Sequence, residues 1–102
     1  MANYVLRYSP LFYEDLDKIT DYILLELKNE FAAKTLIKDV EVAIKKHFSN
    51  PLSFAPYKSI NSRHHLYHRI LVGNYSIFYV VIDNTMIVRR ILYGRRDLDK
   101  IL

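Results

Sequence analysis

Residues 65–94 read HLYHRILVGNYSIFYVVIDNTMIVRRILYG, and their punctuation decides the fold. Gly73-Asn74 and Asp83-Asn84 are turn dipeptides, Gly94 closes the stretch, and the segments between are rich in β-branched and aromatic residues. They read as strands over 65–72, 75–82 and 85–93. Connections this short make an antiparallel meander. In the middle segment Tyr75, Ile77, Tyr79 and Val81 alternate with Phe78, Val80 and Ile82, so both faces are largely apolar. That predicts a central strand covered on at least part of both faces.

Upstream, the periodicity changes. Asn3-Tyr4-Val5-Leu6-Arg7-Tyr8 suits a short strand. Ser9-Pro10 then reads as an N-cap with proline at the first helical position. Phe12, Leu16, Ile19, Ile23 and Leu27 form an apolar stripe on a helix of roughly five turns. Glu14, Asp15 and Asp17 fall in its early turns, where negative charge suits the helix N-terminus. Lys28-Asn29-Glu30 makes a polar turn. Ala33, Leu36, Ile37, Val40, Ile44 and Phe48 share the face of a second helix, which Ser49-Asn50-Pro51 ends. Two such helices pack as an antiparallel hairpin. Residues 51–63 read as a loop. The sum is one α+β domain over 1–102: an N-terminal strand, a two-helix hairpin, then a three-stranded antiparallel meander completing one sheet with helices on one face.

Composition narrows the function. The chain has 102 residues, no cysteine and two glycines. Disulfides and thiolate metal sites are excluded, as is a Gly-rich phosphate loop, and no cofactor is expected. The longest apolar run, Ile77 to Ile82, is far short of the roughly 20 residues a membrane span needs. No secretory signal pattern opens the sequence, so a cytoplasmic protein without membrane contact is expected. The net charge of +4 is uneven. Residues 1–50 hold seven Lys/Arg against eight Asp/Glu, a net of −1; residues 51–102 hold eight against three, a net of +5. Six of those eight cations are arginines, the side chain suited to phosphate and carboxylate.

His64, His65 and His68 invite a metal reading that spacing opposes. On a strand, His64 and His68 stand about 13 Å apart at roughly 3.3 Å per residue. His68 remains a candidate for proton transfer, because imidazole titrates near neutral pH. In Arg89-Arg90, alternation sends the two side chains to opposite faces. One must reach the rim or find an acidic partner, while the other joins Arg69 on an open face suited to a polyanion. Ordinary exposed polar residues would explain the same pattern equally well.

Several stretches together resemble the RelE/ParE superfamily of bacterial toxins. They are Glu14-Asp15-Leu16, Ile19 to Tyr22-Ile23, Arg69-Ile70-Leu71-Val72-Gly73-Asn74-Tyr75, Tyr79-Val80-Val81, and the ending Arg90-Ile91-Leu92-Tyr93-Gly94-Arg95-Arg96-Asp97. The resemblance spans nearly the whole chain, in order. It implies the toxin of a type II toxin–antitoxin module, a plasmid-stabilisation and growth-inhibition device neutralised by an acidic antitoxin. Operator DNA would be met only through the antitoxin complex.

The superfamily divides by target: ParE-like members poison DNA gyrase, and RelE-like members cleave mRNA in the ribosomal A site. In the second case the resemblance implies Arg69 and Arg96 as catalytic cations, with Tyr93 or His68 as the candidates to stand in for the missing base. In either case Arg69, Arg89, Arg90, Arg95 and Arg96 form the polyanion- or antitoxin-binding surface. Two departures favour the gyrase branch. Ser76 stands where nuclease members commonly carry arginine, and Leu102 stands where they can place an aromatic residue. RNA cleavage needs a base for the 2′-OH and cations for the phosphorane, and both are depleted.

Overall fold

The computed structural model describes residues 3–53 and 66–94. Among them, four strands and two helices run in the order β1 (Val5–Tyr8), α1 (Pro10–Asp21), α2 (Glu30–Phe48), β2 (Tyr67–Val72), β3 (Tyr75–Ile82), β4 (Thr85–Tyr93). The sheet order is β1-β4-β3-β2. The three later strands form the expected antiparallel meander, with β3 hydrogen-bonded on both sides. β1 lies parallel to β4, Val5 opposite Thr85 and Tyr8 opposite Val88, which makes the sheet mixed. The expected loop over 54–63, together with His64 and His65, lies outside the described residues.

Both helices pack on one face of the sheet. Phe12 and Ile23 from the first helical segment and Ala33, Leu36, Val40 and Ile44 from α2 meet Ile70, Val72, Ile77, Tyr79, Met86, Val88 and Ile91 in one core. Each large apolar side chain among them contributes about 1.5–3 kcal/mol by leaving water. The opposite face carries a smaller cluster of Phe78 and Leu92 with Tyr67 against it. Phe78, Ser76 and Val80 are fully buried there, so β3 is covered on both faces as its composition predicts.

Two expectations for the helices need correction. α1 does not run on as a regular helix to Leu27. It gives way to a π-helical turn, Tyr22–Glu26, in which the Leu27 N–H reaches five residues back to the Tyr22 carbonyl. The extra residue rotates the chain beyond it, and Leu27 is 57% exposed rather than part of the buried stripe. Lys28 then takes a left-handed conformation, φ +50°, and the Asn29 N–H closes on the Ile23 carbonyl. In α2, Ile37 lies at the margin of the buried face and is 44% exposed. Asn29 caps that helix by accepting the Ala32 N–H, with Glu30 in its first turn and Lys45, Lys46 and His47 in its last. Ser9 occupies the N-cap position of α1 without a side-chain capping bond, and Pro10 follows as expected.

Candidate functional site

The arginine pair on β4 is shaped by an irregularity in the sheet. Phe78 pairs with Arg90 but Tyr79 pairs with Val88, so β4 carries one extra residue, a β-bulge at Arg89. Val88 and Ile91 both face the helix-side core and are separated by two residues. Strict alternation therefore breaks across Arg89-Arg90, and alternation alone no longer assigns either side chain to a face. Arg90 does find the acidic partner that an arginine at this position requires. Its Nε and Nη2 donate to Asp15 Oδ2 and Oδ1 at 2.6 and 2.9 Å. Asp15 Oδ2 also accepts the Ile91 N–H at 3.2 Å. Hydrogen bonding to Asp15 holds the Arg90 guanidinium above its usual range, against the opposing effect of burial.

Arg69 pairs with Phe78 from the other side, so Arg69, Phe78 and Arg90 form one row across the sheet. The middle of that row is buried and apolar. The expected open floor of arginine and tyrosine is thus interrupted at its centre, because Phe78, Leu92 and Tyr67 pack together there.

The other residues singled out from the sequence are distributed elsewhere. His68 precedes Arg69 and turns to the helix side, where it is buried and stacked on Tyr79 with ring centroids 4.9 Å apart. The Tyr79 hydroxyl donates to the Pro51 carbonyl at 2.7 Å, and burial pushes that phenol up to about 12. Tyr93 pairs with Tyr75 at the far end of the sheet and stays 58% exposed. Ser76 is fully buried, its hydroxyl donating to the Gly94 carbonyl at 2.9 Å. Arg95, Arg96 and Leu102 lie outside the described residues. The fold thus brings Arg69 and Arg90 into one row, and sends His68 and Tyr93 to separate places on the helix side.

A second feature has no counterpart in the sequence reading. Lys18, Ile19, Tyr22 and Leu27 from the first helical segment and Tyr75 and Tyr93 from the sheet end line a groove of about 580 Å³. Tyr75 and Tyr93 meet edge to face at 5.4 Å. Burial raises the Tyr75 pKa, and the nearby Tyr93 and Tyr22 phenols add to the effect. The π-helical turn creates this lining by displacing Leu27 from the core, and helical periodicity gives no warning of it.

The fold and its basic row define a small α+β domain of a known kind. Residues 6–98 match the family described as the ParE toxin of the type II toxin–antitoxin system parDE, and the chain belongs to that family. No curated protein sequence matches it significantly. Among solved structures, the chromosomal ParDE system of P. aeruginosa aligns with a TM-score of 0.74 at 15% identity, covering 93% of this chain and 100% of that one. The RelB–RelE antitoxin–toxin complex of Methanococcus jannaschii aligns at 0.54 with 26% identity, covering 85% and 88%. The YoeB dimer of Staphylococcus aureus aligns at 0.60 with 19% identity, covering 92% and 100%. The protein is a toxin of the type II class with the RelE/ParE fold. Among the described residues no helix is long and apolar enough to cross a membrane.

Proposed function

We propose that this toxin is neutralised by an acidic antitoxin and arrests growth by binding DNA gyrase rather than by cutting RNA. The observation that carries the second part is the separation of the groups a nuclease would need. His68 and Arg69 are neighbours in β2, yet His68 is buried against Tyr79 on the helix side while Arg69 shares a row with Phe78 on the other. Tyr93 stands at the sheet end, and Arg90 is committed to Asp15. Ser76, at the position where an arginine would supplement the charge, is buried and bonded to Gly94. A general base and two cations need a common point within hydrogen-bond reach of one phosphate, and His68 faces the helix-side core, away from the face on which Arg69 pairs with Phe78.

Antitoxin binding is supported by the relatives, since the M. jannaschii structure is an antitoxin–toxin complex. An excess of Lys/Arg over Asp/Glu in residues 51–102, eight against three, suits an acidic segment that folds as it binds. Co-purification with the product of a neighbouring acidic reading frame tests this part.

Supercoiling and translation measured on one protein preparation test the target. Blocked supercoiling with intact translation is the expected outcome, and normal supercoiling at saturating toxin overturns it. The alternative, a ribosome-dependent endoribonuclease, draws on the higher identity to the M. jannaschii toxin complex and on Arg69. It requires A-site mRNA cleavage that weakens in Arg69→Ala and Arg96→Ala.

A further inference from the structure

Arg89 is the extra residue of the β4 bulge, and its surroundings differ from those of the arginine beside it. The side chain is half-buried, and its Nε is withdrawn from water with no hydrogen-bond partner. No ion pair among the described residues reaches it. Arg90 shows what such a group requires. There Nε and Nη2 each donate to one oxygen of Asp15, at 2.6 and 2.9 Å. Two consecutive arginines thus stand in one strand, one with a carboxylate across its fork and one without. A guanidinium cannot shed its charge, so a desolvated N–H with no acceptor is a cost that the fold leaves unrecovered. Bulges recur where a strand re-aims a side chain toward a functional contact.

The acceptor that completes Arg89 carries negative charge on oxygen, which leaves carboxylate and phosphate. The setting decides between them. A nucleic-acid strand is held by several cations spaced along its phosphates. Here the cross-strand neighbours at the bulge, Phe78 and Tyr79, are fully buried, and Arg90 is already neutralised by Asp15. A row of available cations therefore does not run across β3 from Arg89. One charge in apolar surroundings fits one acidic side chain, reaching in from a peptide whose other contacts are apolar. A planar carboxylate also matches the guanidinium fork, as Asp15 does one residue away. The excess of Lys/Arg over Asp/Glu in residues 51–102, eight against three, draws an acidic segment to this half of the chain.

We infer that Arg89 receives one carboxylate of the acidic antitoxin, while Arg90 serves the fold through Asp15. Arg89 is thereby the residue through which the antitoxin reading above, on which this assignment rests, acquires a specific contact. Two arginines that composition treats alike are given separate tasks.

Calorimetric titration of the full chain with the purified product of the neighbouring acidic reading frame provides the test, on wild type, Arg89→Met and Arg89→Lys. Arg89→Met should weaken binding by roughly tenfold or more, as expected when a buried charge pair loses one partner. Arg89→Lys should weaken it less, since it keeps the charge and loses the fork. The melting temperature of Arg89→Met without antitoxin should equal or exceed that of the wild type, because no internal partner is lost. A double-mutant cycle then locates the acceptor: converting one antitoxin Asp or Glu to its amide should weaken binding to the wild type and cost Arg89→Met nothing further. Unchanged affinity in Arg89→Met overturns the inference, as does a loss to which every antitoxin substitution adds in full. A lower melting temperature in both variants makes Arg89 a residue of the fold and overturns it too. So does binding of a single-stranded RNA that Arg89→Met abolishes while antitoxin affinity is kept, since that assigns the arginine to phosphate. If the wild type itself retains no antitoxin, the antitoxin reading fails and takes this contact with it, an outcome seen before any variant is made.

Discussion

Asp15 and Arg90 are held together by two hydrogen bonds of 2.6 and 2.9 Å, and the same carboxylate accepts the Ile91 backbone N–H. β1 stops pairing with β4 where the Ser9 N–H meets the Val88 carbonyl. Beyond that point a side chain from α1 takes over the work of a neighbouring strand. The pair is mostly withdrawn from water, with side-chain exposures of 15% for Arg90 and 11% for Asp15. Asp15→Asn should therefore destabilise the fold by about 2–4 kcal/mol, since it leaves a desolvated guanidinium without its counter-charge. Urea denaturation measures the loss. Combining Asp15→Asn with Arg90→Met should recover part of it, and equal losses in the single and double variants would show that the ion pair is not the cause.

Tyr79 predicts an alkaline weakness. Its phenol has an ordinary value of 10.0 and is pushed up to about 12 by burial. The unfolded chain therefore releases this proton at lower pH than the folded one. Stability is complete below pH 10 and falls as pH rises toward 12, by about 2–3 kcal/mol at 1.36 kcal/mol per unit. Tyr79→Phe should flatten that part of the stability–pH curve. It should also cost about 1–2 kcal/mol at neutral pH by leaving the Pro51 carbonyl without its donor.

Ser76, the position at which the sequence resemblance sets an arginine in a nuclease, offers a further test. Ser76→Ala should cost about 1 kcal/mol, because the Gly94 carbonyl loses its hydroxyl donor. Ser76→Arg places a long charged side chain at a fully buried position and should cost more than Ser76→Ala. Under the gyrase reading it creates no RNA cleavage. Thermal melts and a translation assay on the same variants check both statements.

Lys28 carries a conformational cost that glycine would avoid. Its φ of +50° lies in the left-handed region, disfavoured by about 1–2 kcal/mol for a residue with a Cβ. Lys28→Gly should raise stability by up to about 1 kcal/mol after the greater entropy of unfolded glycine is subtracted. A lowered denaturation midpoint in this variant would mean that the lysine side chain supplies more than its backbone geometry costs.

The residues in these predictions lie where sequence and structure part company. The end of β2, both ends of β3 and the start of β4 are legible because Gly73-Asn74 and Asp83-Asn84 act locally, and turn chemistry depends on few neighbours. The buried face of α2 follows from periodicity for the same reason, except at Ile37. Asp15 reads as an acidic residue early in a helix, but its role with Arg90 is tertiary and invisible across the intervening residues. The bulge at Arg89 and the π-helical turn at Tyr22–Glu26 each insert one residue into a regular repeat. Either insertion changes which side chains face outward while leaving the composition of the segment untouched. Arg69 and Arg90 can be named from their chemistry, but their sharing of a row with buried Phe78 requires the register.

The parallel pairing of β1 with β4 also constrains when this protein can become itself. Val5 has its partner at Thr85 and Tyr8 at Val88. During synthesis the first strand must wait, unpaired, until those residues emerge, and loop closure over so long a stretch is slow. A nascent chain can form its helices early, but its sheet has no neighbour for β1 and no docking edge for Asp15 before β4 arrives. The folded toxin therefore exists only once both ends of the described chain have been made.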